Sequence, residues 1–351
     1  MIIFLKVLFL IVPLLISVAY FTIAERKIMG AIQLRRGPNV IGYIGLLQPL
    51  ADGAKLFAKE TIIPNSANEQ LFLIAPFMAL FLSLISWAVI PFAEGLFLCD
   101  LHLGILYLFA VSALNVYSLL FAGWSSNSKY SYLGSIRSAA QMISYEISIG
   151  FTCLIVIIGV GSYNLTKIIF MQEFVWFIIP FFPIFIVFYI SILAETNRHP
   201  FDLPEAESEL VSGYNVEYSS MPFAQFFLGE YANMLLMSTF GSVLFLGGWF
   251  FKLFFYLPEP LKLSFKICFG VLYFIINRAI FPRFRYDQLM TLGWKGLLPL
   301  VIGYFLFSIG LLISFNTLPN FLGNITYRQS VCFASIKNQF NSGYFQNFNE
   351  F

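Results

Sequence analysis

The sequence predicts an all-α polytopic membrane protein of about eight transmembrane helices, with an amphipathic surface helix in the first loop. Of the 351 residues, 59% are hydrophobic and only 11% are charged. The mean hydropathy is +0.81, and long apolar runs recur along the chain. A soluble domain carries roughly 25% charged residues, so lipid must be the solvent for much of this surface. The net charge of +2 is too small to indicate nucleic-acid binding.

Eight apolar runs approach the roughly 20 residues that a membrane span needs. They are 2–23, 71–92, 103–121, 140–160, 174–193, 231–251, 263–280 and 297–315. Backbone polar groups must be satisfied inside the bilayer and the runs do not alternate as barrel strands do, so we expect helices. The first run lacks a small-residue cleavage site and is interpreted as a retained span. We expect one membrane domain over 1–327 and a polar C-terminal extension over 328–351.

Lys and Arg concentrate in the odd-numbered loops, which predicts that these loops face the matrix or cytoplasm and that both termini lie on the opposite side. The first loop, 24–70, is long and mixed in character. Within it, residues 48–59 place an apolar stripe on one side, which predicts an amphipathic helix lying on the membrane surface; the stripe comprises Leu50, Ala54, Phe57 and Ala58.

The cysteines and histidines do not form a metal-binding pattern. The four cysteines are far apart without a C-x-x-C pair, and the two histidines are isolated in sequence: Cys99, Cys153, Cys268, Cys332, His102 and His199. We expect the cysteines to be small buried hydrophobic side chains. We therefore expect no iron–sulfur or haem site belonging to this chain.

The fifth loop, 194–230, is the most acidic part of the chain. Asp202 and Glu205 have the spacing of a capping box, which explains them structurally. This explanation does not cover Glu209, because like charges four residues apart on a helix repel. The loop therefore predicts a proton or cation route, with a solvated loop as the alternative. Its acids are Asp202, Glu205, Glu207, Glu209, Glu217 and Glu230.

Two further acids stand near or within apolar runs. Glu146 lies inside the fourth run, where an ionisable group is costly and by default functional. Glu195 lies at the end of the fifth run, where a charge snorkelling to the interface is a competing explanation. Both are candidates for carrying a proton.

Arginines follow the first and seventh runs, and the positive-inside rule accounts for several of them. They are mixed with turn residues and acids, which indicates a polar cavity beneath an amphipathic ligand. They are Arg26, Arg35, Arg36, Arg278, Arg283 and Arg285.

Six stretches together resemble the NADH dehydrogenase subunit 1 family of respiratory complex I, over about residues 1–320. They are AERKIMG at 24–30, RRGPN at 35–39, QPLADGAKL at 48–56, AETNR at 194–198, PFDLPEAESELVSGYNVEY at 200–218 and PRFRYDQLM at 282–290. Several long motifs in the same order make the resemblance specific.

The resemblance implies a subunit of proton-pumping NADH–ubiquinone oxidoreductase that is not catalytic alone. Ubiquinone, the substrate, would enter between its helices and be reduced by an iron–sulfur cluster of a neighbouring subunit. NADH, FMN and the iron–sulfur clusters would be bound by partner subunits, and this chain would bind no cofactor itself. The implied partners are the peripheral-arm iron–sulfur and quinone-site subunits, adjacent membrane subunits and lipid. The implied location is the mitochondrial inner membrane, or the plasma membrane of a bacterium.

Carried over position by position, the resemblance also implies roles for single residues. The proton path would comprise Glu146, Glu195, Asp202, Glu205, Glu207, Glu209, Glu217 and Glu230. The quinone cavity would comprise Arg26, Arg36, Asp52, Phe223, Phe227, Arg278 and Arg283. Two alternatives remain, namely the homologous membrane subunit of an energy-converting hydrogenase and a secondary cation transporter.

Overall fold

The structure is a computed structural model that describes residues 2–202, 213–250 and 257–315. Within these residues the regular structure is helical, and the only strand-like feature is an isolated bridge between Ala93 and Leu96. The prediction of an all-α protein is confirmed. Glu205, Glu207, Glu209 and the expected extension over 328–351 lie outside the described residues.

The α-helices of the described residues follow one another along the chain with short connections. They are α1 (Ile2–Ile32), α2 (Gln48–Ala58), α3 (Glu69–Ser86), α4 (Gly104–Ser125), α5 (Lys129–Val160), α6 (Leu165–Met171), α7 (Phe182–Glu195), α8 (Ser220–Phe245), α9 (Glu259–Ile280), α10 (Tyr286–Thr291) and α11 (Leu298–Ser314). A π-helix, Leu292–Leu297, joins α10 to α11 without a break. Short 3₁₀ turns form at Tyr43–Gly45, Trp87–Val89 and Gly213–Asn215.

Helices long and apolar enough to cross a membrane recur along the chain, as expected for a polytopic membrane protein. In the described residues six segments meet this standard: Phe4–Ile32, Glu69–Val89, Gly104–Ser125, Lys129–Val160, Glu259–Ile280 and Tyr286–Ser314. The two remaining predicted spans coincide with α7, which has 14 residues, and α8, which has 26. α8 includes Gln225, Glu230 and Asn233, which lower its hydropathy. The number of eight spans stays a prediction.

Two helices differ in extent from the runs that predicted them. The fifth run was expected to be helical from residue 174, but α7 begins only at Phe182, with Pro183 in its first turn. Pro180 explains the delay, because a proline inside a helix would break the hydrogen-bond ladder. α5 begins at Lys129, eleven positions before the fourth run, and the Ser128 hydroxyl accepts a hydrogen bond from the Ser131 amide at this end.

The amphipathic surface helix predicted in the first loop is confirmed as α2. None of its residues is buried, and it contacts α1 and α8. Pro49 lies in its first turn, where a missing amide hydrogen costs nothing. Leu50 and Phe57 are 69% and 73% exposed, which suits a helix whose apolar side meets lipid or another protein.

The protein interior forms around α5, α7 and α8. Phe188 of α7 packs its ring against Phe240 and Phe245 of α8. A second apolar cluster lies between α3, α4 and α8 and includes Phe72 and Val116. Small residues permit close helix approach, as expected in a membrane bundle. At Gly229 of α8, for example, an added Cβ would lie 3.3 Å from a carbonyl oxygen of α3.

The cysteine prediction is only partly correct. Cys153 is buried, but Cys99 and Cys268 are exposed on the surface of this chain, and Cys332 lies outside the described residues. The expectation assumed that an apolar side chain must avoid the surface. This does not hold where lipid or a neighbouring chain replaces water.

Lys266 of α9 stabilises the far end of α8. Its ammonium group donates to the carbonyl oxygens of Leu246, Gly248 and Phe250 at 2.5, 2.7 and 2.7 Å, and it lies over the ring of Trp176. The Leu246 carbonyl lies at the C-cap of α8 and has no partner within the helix, while Gly248 and Phe250 lie in the segment that follows. The buried lysine therefore satisfies these three acceptors with its three N–H donors.

Candidate functional site

The C-terminus of α7 fixes the directions of Glu195 and Arg198. Asn197 has a left-handed backbone with φ 49°. Its amide donates to the Ala194 carbonyl at 3.3 Å, and the Arg198 amide donates to the Leu193 carbonyl at 3.2 Å. This is the hydrogen-bond pattern of a Schellman motif. The reversal leaves Glu195 in the last helical turn, facing the interior, and turns Arg198 towards α1.

Glu195 lines two small cavities inside the helix bundle. Each cavity has a volume of about 30 Å³, which is enough for a water molecule. Both are lined by Asn115 of α4, Asn233 of α8 and Glu195 itself. Glu195 is only 6% exposed, and its Oε2 atom has no hydrogen-bond partner among the described residues. The arrangement places amide and carboxyl groups around spaces where water can bind.

Glu146 approaches the same interior from α5. Its Oε1 atom accepts a hydrogen bond of 2.8 Å from the Ser112 hydroxyl of α4. Ser112 also lines one of the two cavities. The carboxyl groups of Glu146 and Glu195 are close enough to interact electrostatically. The structure therefore brings together two acids that stand almost 50 positions apart in the sequence.

Glu230 of α8 lines the other cavity. It accepts a hydrogen bond from the Tyr214 hydroxyl, and both side chains border the cavity with Glu195. The charges of Arg198 and Asp202 act on its carboxyl group. Glu146, Glu195 and Glu230 thus lie along one interior region.

Glu25 forms the centre of a buried ionic cluster that joins four parts of the chain. It is 5% exposed and lies about two turns before the end of α1. Its carboxylate pairs with Arg198 at 3.3 Å and also with Arg278 of α9. The Tyr231 hydroxyl donates to it at 2.5 Å, and the Arg198 guanidinium lies 4.6 Å above the Tyr231 ring. A buried carboxylate is tolerable here because it is both paired and hydrogen-bonded.

His199 and Asp202 form a second polar cluster with Arg283. The Arg283 Nε donates to His199 Nε2 at 3.1 Å, and Arg283 Nη2 lies 3.6 Å from Asp202 Oδ2. Burial and the charges of Arg283, Arg278 and Arg198 lower the pKa of His199 to about 4. The imidazole is therefore neutral at physiological pH and accepts a hydrogen bond from Arg283. Although isolated in sequence, His199 is integrated into this cluster.

Aromatic rings run along α8 towards Glu25. The ring centroids of Phe223 and Phe227 are 4.7 Å apart, and those of Phe227 and Tyr231 are 6.1 Å apart. Residues four apart lie on the same face of a helix. The rings form an apolar row, partly exposed, that ends at the hydroxyl bonded to Glu25.

The remaining arginines expected in the quinone cavity lie at the surface. Arg26 is exposed and pairs with Asp52 of α2 at 2.9 Å. Asp52 also accepts a hydrogen bond from Gln48 at 2.9 Å. Arg36 is exposed in the loop that precedes α2. Among the described residues, the side chains of Arg26, Asp52 and Arg36 form no ion pair with the Glu25 cluster.

Of the acids expected on the proton path, Asp202 belongs to the His199 cluster, and Glu217 lies partly exposed in the turn before α8. Glu217 lines neither interior cavity. Sequence reasoning missed Glu25, Arg198 and Tyr231 as site residues. Glu25 looks like part of the charged flank of the first span, since Arg26 and Lys27 follow it. The useful signal was an acid at the apolar end of that flank.

The fold and these clusters are accompanied by a family match over most of the chain. The sequence pattern described as NADH dehydrogenase matches residues 5–309.

The chain belongs to the NADH dehydrogenase family.

Similar proteins agree with this assignment and confirm the resemblance seen in the motifs. NADH-ubiquinone oxidoreductase chain 1 of Chondrus crispus is 56% identical over 318 residues, covering 90% of this chain and 98% of the relative. A subunit of the NADH-quinone oxidoreductase of Paramagnetospirillum magneticum is 57% identical over 324 residues, covering 91% of this chain and 95% of the relative. The Arabidopsis thaliana NADH-ubiquinone oxidoreductase chain 1 is 56% identical over 318 residues, covering 90% of this chain and 98% of the relative. In this NADH dehydrogenase family member, the described residues contain no group of three or more His, Cys, Asp or Glu that could hold a metal ion.

Proposed function

We propose that this chain helps to form the ubiquinone cavity of a proton-pumping NADH–ubiquinone oxidoreductase and contains the start of its proton path. At the coarser level it is a membrane subunit of NADH–quinone oxidoreductase, which the family and the names of its relatives support. The single observation that carries the finer proposal is the segment from Glu195 to Asp202. This segment extends from the interior cavities to the Glu25 cluster and to the cluster of His199, Asp202 and Arg283.

The proton path is proposed to run through the carboxyl groups of the interior. Glu146, Glu195 and Glu230 border or adjoin cavities that can hold water. A proton can move between acids that are linked through water or hydroxyl groups, and Ser112 and Tyr214 supply such hydroxyls. Asp202, Glu205, Glu207, Glu209 and Glu217 remain proposed members because they lie in the same acidic loop.

The quinone cavity is proposed to lie around the aromatic row of α8 and the Glu25 cluster. Ubiquinone has an apolar tail and a polar head group. Phe223 and Phe227 suit the first, and the arginines beyond Tyr231 suit the second. Arg26, Arg36, Asp52 and Arg283 are proposed to border the cavity where partner subunits complete it. NADH, FMN and iron–sulfur clusters are proposed to belong to those partners, and the complex to lie in the mitochondrial inner membrane or a bacterial plasma membrane.

Replacing Glu195 tests this function. Glu195→Gln retains size and hydrogen bonding but removes titration. In membranes containing the assembled complex, we expect NADH–ubiquinone activity and proton pumping to fall together, while NADH–ferricyanide activity, which draws electrons upstream, is retained. Normal quinone reduction and pumping would exclude Glu195 from the path. If the purified chain alone moved an ion across liposomes, the transporter alternative would replace the proposed function.

A further inference from the structure

Gln141 of α5 is a buried amide with an unusual pair of contacts. It is 0% exposed, and its Nε2 atom donates to the carbonyl oxygens of Ala194 and Phe201 at 2.7 and 2.9 Å. Both neighbours are acceptors, so the nitrogen must face them. Its Oε1 atom has no hydrogen-bond partner among the described residues. A buried oxygen without a hydrogen-bond partner destabilises the folded state, and an apolar side chain at this position would avoid that cost.

The two carbonyls lie at the ends of the segment that carries the proposed chemistry. Between Ala194 and Phe201 stand Glu195, which borders the interior cavities, and Arg198, which pairs with Glu25. Backbone hydrogen bonds shape the segment internally, including Phe201 N–H to the Arg198 carbonyl at 2.8 Å. Gln141 adds a side-chain link from both ends of the segment to another helix.

That helix is also the one that carries Glu146, five positions beyond Gln141. Side chains on one α-helix are held in fixed relation to one another. A bond from Gln141 to the segment therefore fixes the distance between the helix bearing Glu146 and the turn bearing Glu195. The packing of α5 against α7, including the 3.0 Å contact between the Ser148 and Ser191 hydroxyls, would remain if that bond were lost, so the expected change is confined to the 194–201 segment.

α5 also contacts the fifth loop at Gly213 and Tyr214. The Ser131 hydroxyl donates to the Tyr214 carbonyl at 3.3 Å. At Gly134, an added Cβ would lie 2.7 Å from the Cα of Gly213, so the backbones meet there directly. One helix thus holds the residues on both sides of 203–212.

We propose that Gln141 is a positioning residue that keeps Glu195 and Arg198 in register with Glu146 by closing the 194–201 segment onto α5. The proposal deepens the proposed function and rests on it. Gln141 does not itself carry a proton or contact quinone. It acts through the two carbonyl groups that it binds.

The chain supplies a matched control in Gln172. This glutamine is also 0% exposed, and its Nε2 atom donates to the carbonyls of Val243 and Leu244 at 2.9 and 3.1 Å. It lies at the opposite end of α8 from the Glu25 cluster. Its Nε2 atom also donates to the Ile168 carbonyl and its Oε1 atom accepts from the Phe177 amide, both at 3.3 Å, so its replacement removes at least as many hydrogen bonds of a buried amide without touching the 194–201 segment.

The first measurement is hydrogen exchange in the assembled complex, followed in the peptide that covers 194–201. In Gln141→Met we expect exchange of this peptide to rise by about tenfold, the size expected for losing two ordinary hydrogen bonds. Gln172→Met should leave it unchanged. Unchanged exchange in Gln141→Met would overturn the proposal, whatever the activity of the variant.

The second measurement is the ratio of NADH–ubiquinone to NADH–ferricyanide activity. We expect the ratio to fall several-fold in Gln141→Met and to stay normal in Gln172→Met. Gln141→Glu preserves the shape of the side chain, but it can donate a hydrogen bond only when its carboxyl group is protonated. We therefore expect its activity ratio, divided by that of the native complex at the same pH, to be higher at pH 6 than at pH 8. This second variant also serves if Gln141→Met does not assemble.

Glu195→Gln, tested in parallel, separates the two claims. Suppose that Glu195→Gln impairs quinone reduction, while Gln141→Met raises the exchange of the 194–201 peptide without impairing quinone reduction. The positioning role is then wrong and the proposed function stands. If Glu195→Gln has no effect, Glu195 is excluded from the proton path and that part of the proposed function fails. Hydrogen exchange then still decides whether Gln141 holds the segment.

Discussion

The Tyr231 hydroxyl donates a 2.5 Å hydrogen bond to Glu25, a residue 206 positions earlier in the chain. The same carboxylate pairs with Arg198 and Arg278. Helices α1, α8 and α9 and the turn after α7 are therefore joined at one buried anion. Each of the four groups would be costly to bury without the others.

Removing the charge of Glu25 should disable this cluster. Glu25→Gln leaves Arg198 and Arg278 without their counter-charge, and breaking a buried ion pair costs about 3–5 kcal/mol. We expect NADH–ubiquinone activity to fall by about tenfold or more in the assembled complex, a change that needs only about 1.4 kcal/mol. Ferricyanide activity should persist. Glu69→Gln, at the exposed start of α3, is the control, and equal losses of both activities in Glu25→Gln would point to misassembly.

Glu146→Gln tests the acid that α5 contributes to the interior region. Gln can keep a hydrogen bond with Ser112 but cannot titrate. We expect the complex to assemble, with quinone reduction and proton pumping reduced together by about tenfold, again a loss of roughly 1.4 kcal/mol. The measurement is NADH–quinone activity and proton uptake in membrane vesicles, normalised to assembled complex. A structural role predicts near-normal values instead, because Gln avoids burying a charge.

His199 makes stability depend on pH in a definite direction. Its pKa in the folded protein is about 4, below the ordinary value of 6.5. Between about pH 4 and pH 6.5 the unfolded chain therefore binds a proton at this imidazole that the folded chain does not. The stabilisation that His199 provides above pH 6.5 is lost as the pH falls towards 4. His199→Gln should lower the temperature of half-inactivation at pH 7.5, and the difference from the native complex should shrink at pH 5.5. A difference that stays constant with pH would mean that the histidine is not held neutral.

Asn197 should tolerate Gly but not Val. Its φ of 49° is accessible to glycine, whereas a β-branched residue in the left-handed region is strained by about 1–2 kcal/mol. Asn197→Val should displace Glu195 and Arg198 and lower quinone reductase activity several-fold, while Asn197→Gly retains most of it. Asn127→Val is the control, because Asn127 has a φ of 51° in the turn after α4 and Val would be strained there in the same way. A similar loss in Asn127→Val would show that the effect is general destabilisation.

Hydropathy and motif order were sufficient for the all-α membrane fold, the surface helix α2 and the family. Whether a run of residues enters lipid depends mainly on the residues in that run, so this property can be read locally. The start of α7 was misplaced because prolines near Phe182 altered the backbone within an apolar run. The acids of the fifth loop were also recognisable, since charge is rare in this chain.

The partners of those acids required the tertiary structure. Glu25 and Arg278 are 253 positions apart, and Gln141 contacts carbonyls 53 and 60 positions away. In a membrane, helices associate through close packing and hydrogen bonds, because lipid is as apolar as the helix surfaces. The amino-acid composition of the helices therefore does not show which of them are neighbours. Many arrangements of the same spans satisfy the hydropathy pattern. Only the packed bundle shows that one carboxylate joins α1, α8 and α9, and that one amide on α5 closes the turn bearing Glu195.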